Sequence, residues 1–437
     1  MRLWLFLRLW SVLWHIGLPI VLIYLWKRGR KDPLYGQHLG ERFGRYSRAI
    51  PGAVWVHAVS LGELRSGVPL IRALLDRGES VVTSHFTPAG RREAERVFAA
   101  EISDGRLRAV WVPFETSWAY AGFFRAFQPR FGLVMEIEIW PRMIFAARRA
   151  GVPLFMCNAQ YPTKSMARDA KLKLRHKMMQ AYAGAFVKSD LQRDRFASVG
   201  VQNIHVTGEL RFDQPIPEVQ LQAARVLRPM LPARNVIAFA SMTEPEEGLF
   251  LDVIQTLTSA PEPPFVILVP RAPERFDPVA DALAARGLPS VRRSMLLTET
   301  LGLKDPSVPL ASGGVLLGDS LGEMYFYLAL ADRVVVGGGF QPKGSHNIIE
   351  PLALGKPVIV GPEIHTIEYP AVEAITAGVC LQTSEAHLAR DLSTWPDPAP
   401  AAISAFFAAH AGGTEKTLAA LAGLGLLSGP PTDPTSR

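Results

Sequence analysis

The chain has 437 residues, 48% hydrophobic and 20% charged, with a formal net charge of +7. That length exceeds one core of ordinary size and the composition is globular, which excludes fibrous and wholly disordered classes and makes two domains the expectation. Cys157 and Cys380 are the only cysteines, so a disulfide framework and a cysteine-built zinc site are excluded and a reducing compartment is favoured.

The basic excess lacks the aromatic interleaving and motifs of nucleic-acid binders, so no nucleic acid is expected. Anionic lipid or a phosphorylated substrate remains. Residues 3–26, LWLFLRLWSVLWHIGLPIVLIYLW, favour lipid. They are long enough to span a bilayer, which takes about 20 residues. Arg8 and His15 interrupt the run, and Pro19 can kink it. No small-residue cleavage site follows, so a removed signal peptide is not expected. Lys27, Arg28, Arg30 and Lys31 come next, and positive flanks stay cytoplasmic. A helix lying in the interface is the rival reading, and a buried hydrophobic helix the third. Residues 1–31 are thus expected to hold the rest of the chain at the inner, cytoplasmic leaflet of a membrane.

From residue 53 strands and helices alternate. Strand-like runs fall at 53–59, 80–86, 108–114, 130–137, 152–159, 184–189 and 203–208. Residues 211–234 carry four prolines and read as a linker. Alternation resumes at 236–241, 265–270, 314–319, 333–338 and 357–362, and residues 400–424 read as a closing helix before the tail. Strand–helix alternation means parallel βαβ units. The expected class is α/β: a Rossmann-like domain over 32–210, a second over 235–399, and a deep cleft between them. Ligands bind beyond the carboxyl ends of such strands.

Polar motifs lie at those ends. His57-Ala58-Val59-Ser60-Leu61-Gly62-Glu63 follows the first strand. Ser60 and Glu63 there read either as a capping box or with Glu63 as a general base. Thr87-Pro88-Ala89-Gly90 reads as an N-cap with an anion site as the alternative. Glu136 and Glu138 have the spacing that puts two carboxylates on one strand face. No histidine–carboxylate cluster points to a metal. The basic stretch 163–177, which includes Lys164, is a solvated face or a surface for anionic head groups.

The second half is organised around VVVGGGFQPKGSHNIIEP, residues 334–351. A strand, three glycines including Gly338 and a helix start form an anion-binding geometry, with free backbone amides and the positive end of the helix dipole facing the loop. Asn347 precedes that helix. Glu350, one turn inside it, is placed to accept bonds from a ribose diol. Ser241-Met242-Thr243-Glu244 ends a strand, with a capping box from Thr243 to Glu246. Arg271 also ends a strand and can hold a phosphate. Gly318-Asp319-Ser320-Leu321-Gly322-Glu323 repeats the loop-to-helix pattern, with a third box from Ser320 to Glu323. Together these read as a phosphate-and-ribose site.

HAVSLGEL, TPAG, EIEIWP, TGELRFD, PRAPERF, GDSLGEM and SHNIIEPLALGKPV occur in the order seen in the Kdo transferases. The chain resembles that family over roughly residues 35–385. The resemblance implies the GT-B fold, two facing Rossmann-like domains with an N-terminal membrane anchor. It implies inverting transfer of 3-deoxy-D-manno-oct-2-ulosonic acid (Kdo) from CMP-Kdo to a lipid A precursor, lipid IVA, without metal or other cofactor. In that reading Glu63 is the base, Arg271 holds the CMP phosphate, and Ser241, Gly318, Glu323, Gly338, Asn347 and Glu350 lie on the nucleotide-sugar side. Ser60, Gly62, Thr87, Glu136, Glu138 and Lys164 fall to the acceptor side or the structure of the cleft. Inner-membrane phospholipid is the further partner.

The chain departs from the family pattern at three places. Gln160 stands where Arg is usual, and Ser241-Met242-Thr243 where a Ser-Thr-His type segment is usual. The glycine loop reads Gly337-Gly338-Gly339, then Gly344-Ser345-His346-Asn347, where Gly-Gly-Ser and Gly-Gly-His-Asn are usual. A nucleotide-sugar epimerase of the same fold and a catalytically inactive membrane-bound scaffold are the competing readings.

Overall fold

The computed structural model describes residues 3–170, 173–232, 235–304, 310 and 313–427. The chain forms two compact units, residues 1–214 with 411–437, and residues 215–410. The first contains a sheet of β1 (Val54–His57), β2 (Val81–His85), β3 (Leu107–Trp111), β4 (Gly132–Met135), β5 (Leu154–Ala159), β6 (Gly184–Val187) and β7 (Ile204–Val206). The second contains β8 (Val236–Met242), β9 (Phe265–Pro270), β10 (Ser290–Arg292), β11 (Val315–Leu317), β12 (Arg333–Val336), β13 (Val358–Val360) and β14 (Cys380–Gln382). The strand orders are 3-2-1-4-5-6-7 and 10-11-9-8-12-13-14. All neighbours within these sheets pair in parallel.

Parallel strands covered on both faces read as apolar runs. Along β1, Trp55 points into a core shared with Val82, Val110 and Phe123. Its neighbours Val54 and Val56 point into another with Val81, Leu107 and Leu133. That is the period-two alternation of a strand. In the second sheet Phe239, Leu268, Val335 and Ile359 share one core. The edge strands β10 and β14, three residues each, are too short to show alternation in the sequence.

The segment 211–234, expected as a linker, is largely ordered into elements. Leu210–Asp213 is a 3₁₀ turn and Glu218–Leu227 a helix. Gln220 of that helix accepts from the Phe326 amide at 3.1 Å and donates to the Gly322 carbonyl at 2.8 Å. Prolines bound the helix rather than break it, and residues 233–234 lie outside the described residues. The expected closing helix is two helices, Pro400–His410 and Gly413–Gly423. Between them Gly412 turns the chain at φ +81°, and the second helix belongs to the first unit.

Asp213 fixes that return. Its carboxylate accepts from the Gly412 amide at 2.7 Å and the Thr414 amide at 2.6 Å, capping the Gly413–Gly423 helix. Leu418 and Leu421 of the helix pack into the core beside Leu64 and Ile71. Loss of a helix cap costs about 0.5–2 kcal/mol. Asp213→Ala is therefore expected to destabilise the protein by about 1–2 kcal/mol, read as a lower denaturant midpoint.

Candidate active site

Each sheet reverses its strand order beside its first strand, between β1 and β4 and between β8 and β12, and the second sheet also places β11 inside β10. At such a point the chains leave toward opposite faces and a crevice opens beyond the strand ends. The expected site residues end or follow β1, β2, β4 and β5 in the first unit and β8, β9, β11 and β12 in the second.

In the first unit, the loop after β1 is gripped at Val59. Its carbonyl accepts from the Thr87 amide at 3.1 Å and from the Thr87 hydroxyl at 3.2 Å. Its amide donates to the Glu63 carboxylate at 2.6 Å. Ser60 starts the Leu61–Asp76 helix, its Oγ accepting from the Glu63 amide at 3.3 Å. The expected capping box is thus half present, because the Glu63 carboxylate passes Ser60 and takes Val59. Gly62 is exposed in the same turn. Thr87 caps the Pro88–Val97 helix by accepting from the Gly90 amide at 3.3 Å, so its hydroxyl is spent on the fold.

Glu63 is half-buried. Burial pushes its carboxyl up to about 7, and the nearby Glu138 and Glu136 add to the rise against the Val59 amide. At that value it changes charge near neutral pH, as a general base must.

Glu136 and Glu138 lie beyond β4, which ends at Met135, so strand alternation does not put them on one face. Glu136 has left-handed backbone, φ +56°, and each carboxylate has its own partners. Glu138 accepts from the Trp140 indole at 2.5 Å. Glu136 accepts from Lys188 at 2.9 Å and from the Asn158 side-chain amide at 3.2 Å. Lys188 is buried and also pairs with the buried Glu209 at 2.7 Å. Asn158 donates to Glu209 at 2.8 Å and accepts from the Leu210 amide at 3.0 Å. This network ties the ends of β5 and β6 to the segments after β4 and β7. Lys188 and Glu209 lie at the ends of runs that read as strands, GAFVKS and NIHVTG. A lysine closing a buried strand was the available signal.

Lys164 is exposed on the Thr163–Asp169 helix. The basic stretch around it is partly neutralised, since buried Asp169 accepts from Arg168 at 3.0 Å and Arg175 at 2.8 Å. Residues 171–172 of that stretch lie outside the described residues. Gln160 is buried just after β5.

In the second unit the glycine loop differs from expectation. Its amides are not free. The buried Glu246 carboxylate accepts from Gly338 at 2.7 Å and from Phe340 at 3.1 Å. It also accepts from the Thr243 amide at 3.1 Å and hydroxyl at 2.7 Å, completing the expected capping box. The protein's own carboxylate fills the anion-binding position. Ser241 lies beside this loop with φ +58°, next to a register shift in β8. Met242 is buried and its carbonyl accepts from the Arg271 amide at 2.8 Å.

Of the two arginines in PRAPERF, Arg275 is taken by Glu247 at 2.7 and 2.8 Å. Arg271 is exposed, and its charge, after burial, lowers the pKa of His346. Two polar atoms of the loop, Ser345 Oγ and His346 Nε2, are buried with no protein partner. Unpaired buried groups of this kind call for a ligand or water. Asn347 accepts from the Ile349 amide at 2.9 Å. The helix that follows is only Ile349–Ala353, so Glu350 sits in its first turn rather than one turn inside. Gly318 ends β11 against the Tyr327 ring. Glu323 is the N-cap of Met324–Leu330, and its carboxylate takes Arg293 at 2.5 Å and the Ser320 hydroxyl. The expected box at 320–323 is therefore a side-chain pair. Among the described residues no group of three or more His, Cys, Asp or Glu is arranged to hold a metal.

Two Rossmann-like α/β units of this kind make up the GT-B architecture, which glycosyltransferases and nucleotide-sugar epimerases share. The UDP-GlcNAc 2-epimerase of Neisseria meningitidis bound to UDP-GlcNAc shares the fold, with TM-score 0.54 and 13% identity over 85% of this chain and 100% of that one. Residues 37–214 match the family model described as 3-deoxy-D-manno-octulosonic-acid transferase (Kdo transferase). The chain is 38% identical over 421 residues to the 3-deoxy-D-manno-octulosonic acid transferase of Bordetella pertussis, covering 92% of this chain and 96% of the relative. It is 29% identical over 363 residues to that of Haemophilus influenzae, covering 81% of each. The chain belongs to the 3-deoxy-D-manno-octulosonic acid transferase family.

Two of its departures from the family pattern, Gly339 and Ser345, pack directly against each other, with the Gly361 backbone beside them. A Cβ on Gly339 would lie 2.0 Å from Ser345 Oγ, so this packing has room for one side chain, supplied here from 345. Gly339→Ser alone is expected to destabilise the second unit by about 1–3 kcal/mol, the usual cost of overpacking. Adding Ser345→Gly should recover most of that loss in a double-mutant cycle read by thermal unfolding.

Proposed function

We propose that this chain transfers Kdo from CMP-Kdo to a lipid A precursor with inversion, using Glu63 as base and no metal. The carrying observation is the state of Glu63, which accepts one backbone hydrogen bond, faces two further carboxylates and titrates near neutrality. Glu63 takes the proton of the acceptor hydroxyl as that oxygen bonds to the anomeric carbon. The bond from that carbon to the phosphate oxygen breaks, and CMP leaves with the electron pair. Arg271, exposed and next to the glycine loop, balances the charge on the leaving phosphate. His346 Nε2 is the loop group left for the nucleotide sugar. Asn347 and Glu350 complete the ribose side. A phosphate is a good leaving group, so no second acid is needed.

The acceptor is a lipid, and we place the reaction at the cytoplasmic face of the inner membrane. One helix of 27 residues, Leu3–Gly29, is long and apolar enough to cross a membrane. Basic residues follow it on the body side. The family's acceptor needs such a surface, and an epimerase acting on a soluble nucleotide sugar does not.

The test is transfer by detergent-solubilised protein given CMP-Kdo and the tetra-acylated precursor, with product mass read by mass spectrometry. A gain of one or more Kdo units is expected, and Glu63→Gln should lower the rate by about 10²-fold or more while CMP binding and thermal stability stay unchanged. Transfer surviving in Glu63→Gln would overturn the assignment of the base.

A base must be unprotonated to act, so activity should rise with pH through about 7. Glu138→Gln removes a carboxylate that holds that value up, so the rising limb should move to lower pH.

A further inference from the structure

The Leu3–Gly29 helix packs on the first unit through one side of its N-terminal half, and that side stays partly covered to Leu25. Phe6, Trp10, Trp14, Leu18, Val21 and Leu25 recur at three- and four-residue spacing and are all partly or fully buried. Phe6 packs on the core of the first unit. The Trp10 indole donates to buried Glu115 at 2.9 Å, the same carboxylate that accepts from the Arg142 and Met143 amides. Trp14 lies 6.2 Å from the Phe114 ring. The Trp118 indole donates to His15 at 3.2 Å. At the far end Arg28 donates to the Tyr35 hydroxyl at 2.9 Å. The span from Phe6 to Leu25 covers about 30 Å at ~1.5 Å per residue, as much as the hydrocarbon thickness of a bilayer.

The opposite face is apolar and uncovered. Leu5, Leu9, Val12, Ile16, Ile20 and Ile23 line one arc of the helix, with Ile16 and Ile20 each 70% exposed. A contiguous exposed face of this kind marks an interaction surface. Cations sit at its two ends. Arg8 lies 4.2 Å from the Trp4 ring and Arg30 4.0 Å from the Trp26 ring, and Lys27 and Lys31 flank the latter. Tryptophan and basic residues at the margins of an apolar face match the head-group boundary of an anionic leaflet.

We propose that this helix lies flat in one leaflet, with its docked face on the first unit, and does not cross the bilayer. The inference rests on the membrane placement proposed above and goes beyond it by fixing the mode. A spanning helix would have to leave the unit. It would carry Trp10 and His15 into hydrocarbon without their partners and take one donor from buried Glu115. The two polar interruptions then have separate reasons, His15 meeting the unit and Arg8 reaching to head groups.

The test uses the full chain expressed in a Gram-negative cell, with one cysteine in a short extension ahead of Met1 or with Ser47→Cys, an exposed position on the body. The native Cys157 and Cys380 are buried, so background labelling by a membrane-impermeant maleimide is low. Both cysteines are expected to react in inverted inner-membrane vesicles and neither in intact spheroplasts. Reaction of the N-terminal cysteine in spheroplasts, with Ser47→Cys protected, shows a spanning helix and overturns the inference while leaving the membrane placement intact. Recovery of the chain outside the membrane fraction overturns both. If that soluble form is a dimer by size-exclusion chromatography with light scattering, a second copy covers the face.

Discussion

Where two neighbouring parallel strands send their chains to opposite faces of a sheet, a gap opens at their carboxyl ends. Each unit must fill that gap with polar groups the backbone can satisfy. Both place a glutamate there, three residues after the cap of the first helix. Glu63 follows Ser60, and Glu246 follows Thr243. The same local sequence logic, a hydroxyl cap and a carboxylate at the third helical position, recurs at both switch points.

The two carboxylates differ in what meets them. Glu246 is buried and faces four donors, two from its own turn and two from the loop after β12. A carboxylate so satisfied is structural, and it shapes the glycine loop into one conformation. Glu63 has only the Val59 amide and the Ser60 hydroxyl to set against its burial and two neighbouring carboxylates. An under-satisfied, half-buried carboxylate is costly to keep charged, which leaves it able to take a proton. The structure thus gives two motifs that look alike in sequence different surroundings, one carboxylate fully paired and the other with its pKa raised. Glu136 could have been a second free acid, but Lys188 and Asn158 bind it, and Lys188 is itself balanced by Glu209.

Much of this was legible in the sequence because buried parallel strands are written as apolar runs closed by polar residues. All of the longer strands and the capping residues Ser60, Thr87 and Thr243 follow from that pattern. What stayed hidden is non-local. Glu246 meets Gly338 across 92 residues of chain, and no spacing rule announces that meeting, so the loop amides looked free. Lys188, Asn158 and Glu209 come from separate segments and form one network only after the strands pair. Arg271 and Arg275 share a motif and are told apart only by the Glu247 carboxylate. The N-terminal helix hid its geometry for the opposite reason. Its docked and exposed faces are both apolar, so the sequence has no polar stripe from which to read an orientation.

The account turns on the protonation of one side chain. The direct measurement is a carboxyl ¹³C titration of glutamate-labelled protein, with the Glu63 resonance assigned by its loss in Glu63→Gln. A midpoint near 7, against about 4.3 for an unperturbed glutamate, is the predicted result. A midpoint in the ordinary carboxylate range would mean that Glu63 is a permanently charged cap like any other helix-start glutamate, and would contradict the division of roles between the two crevices.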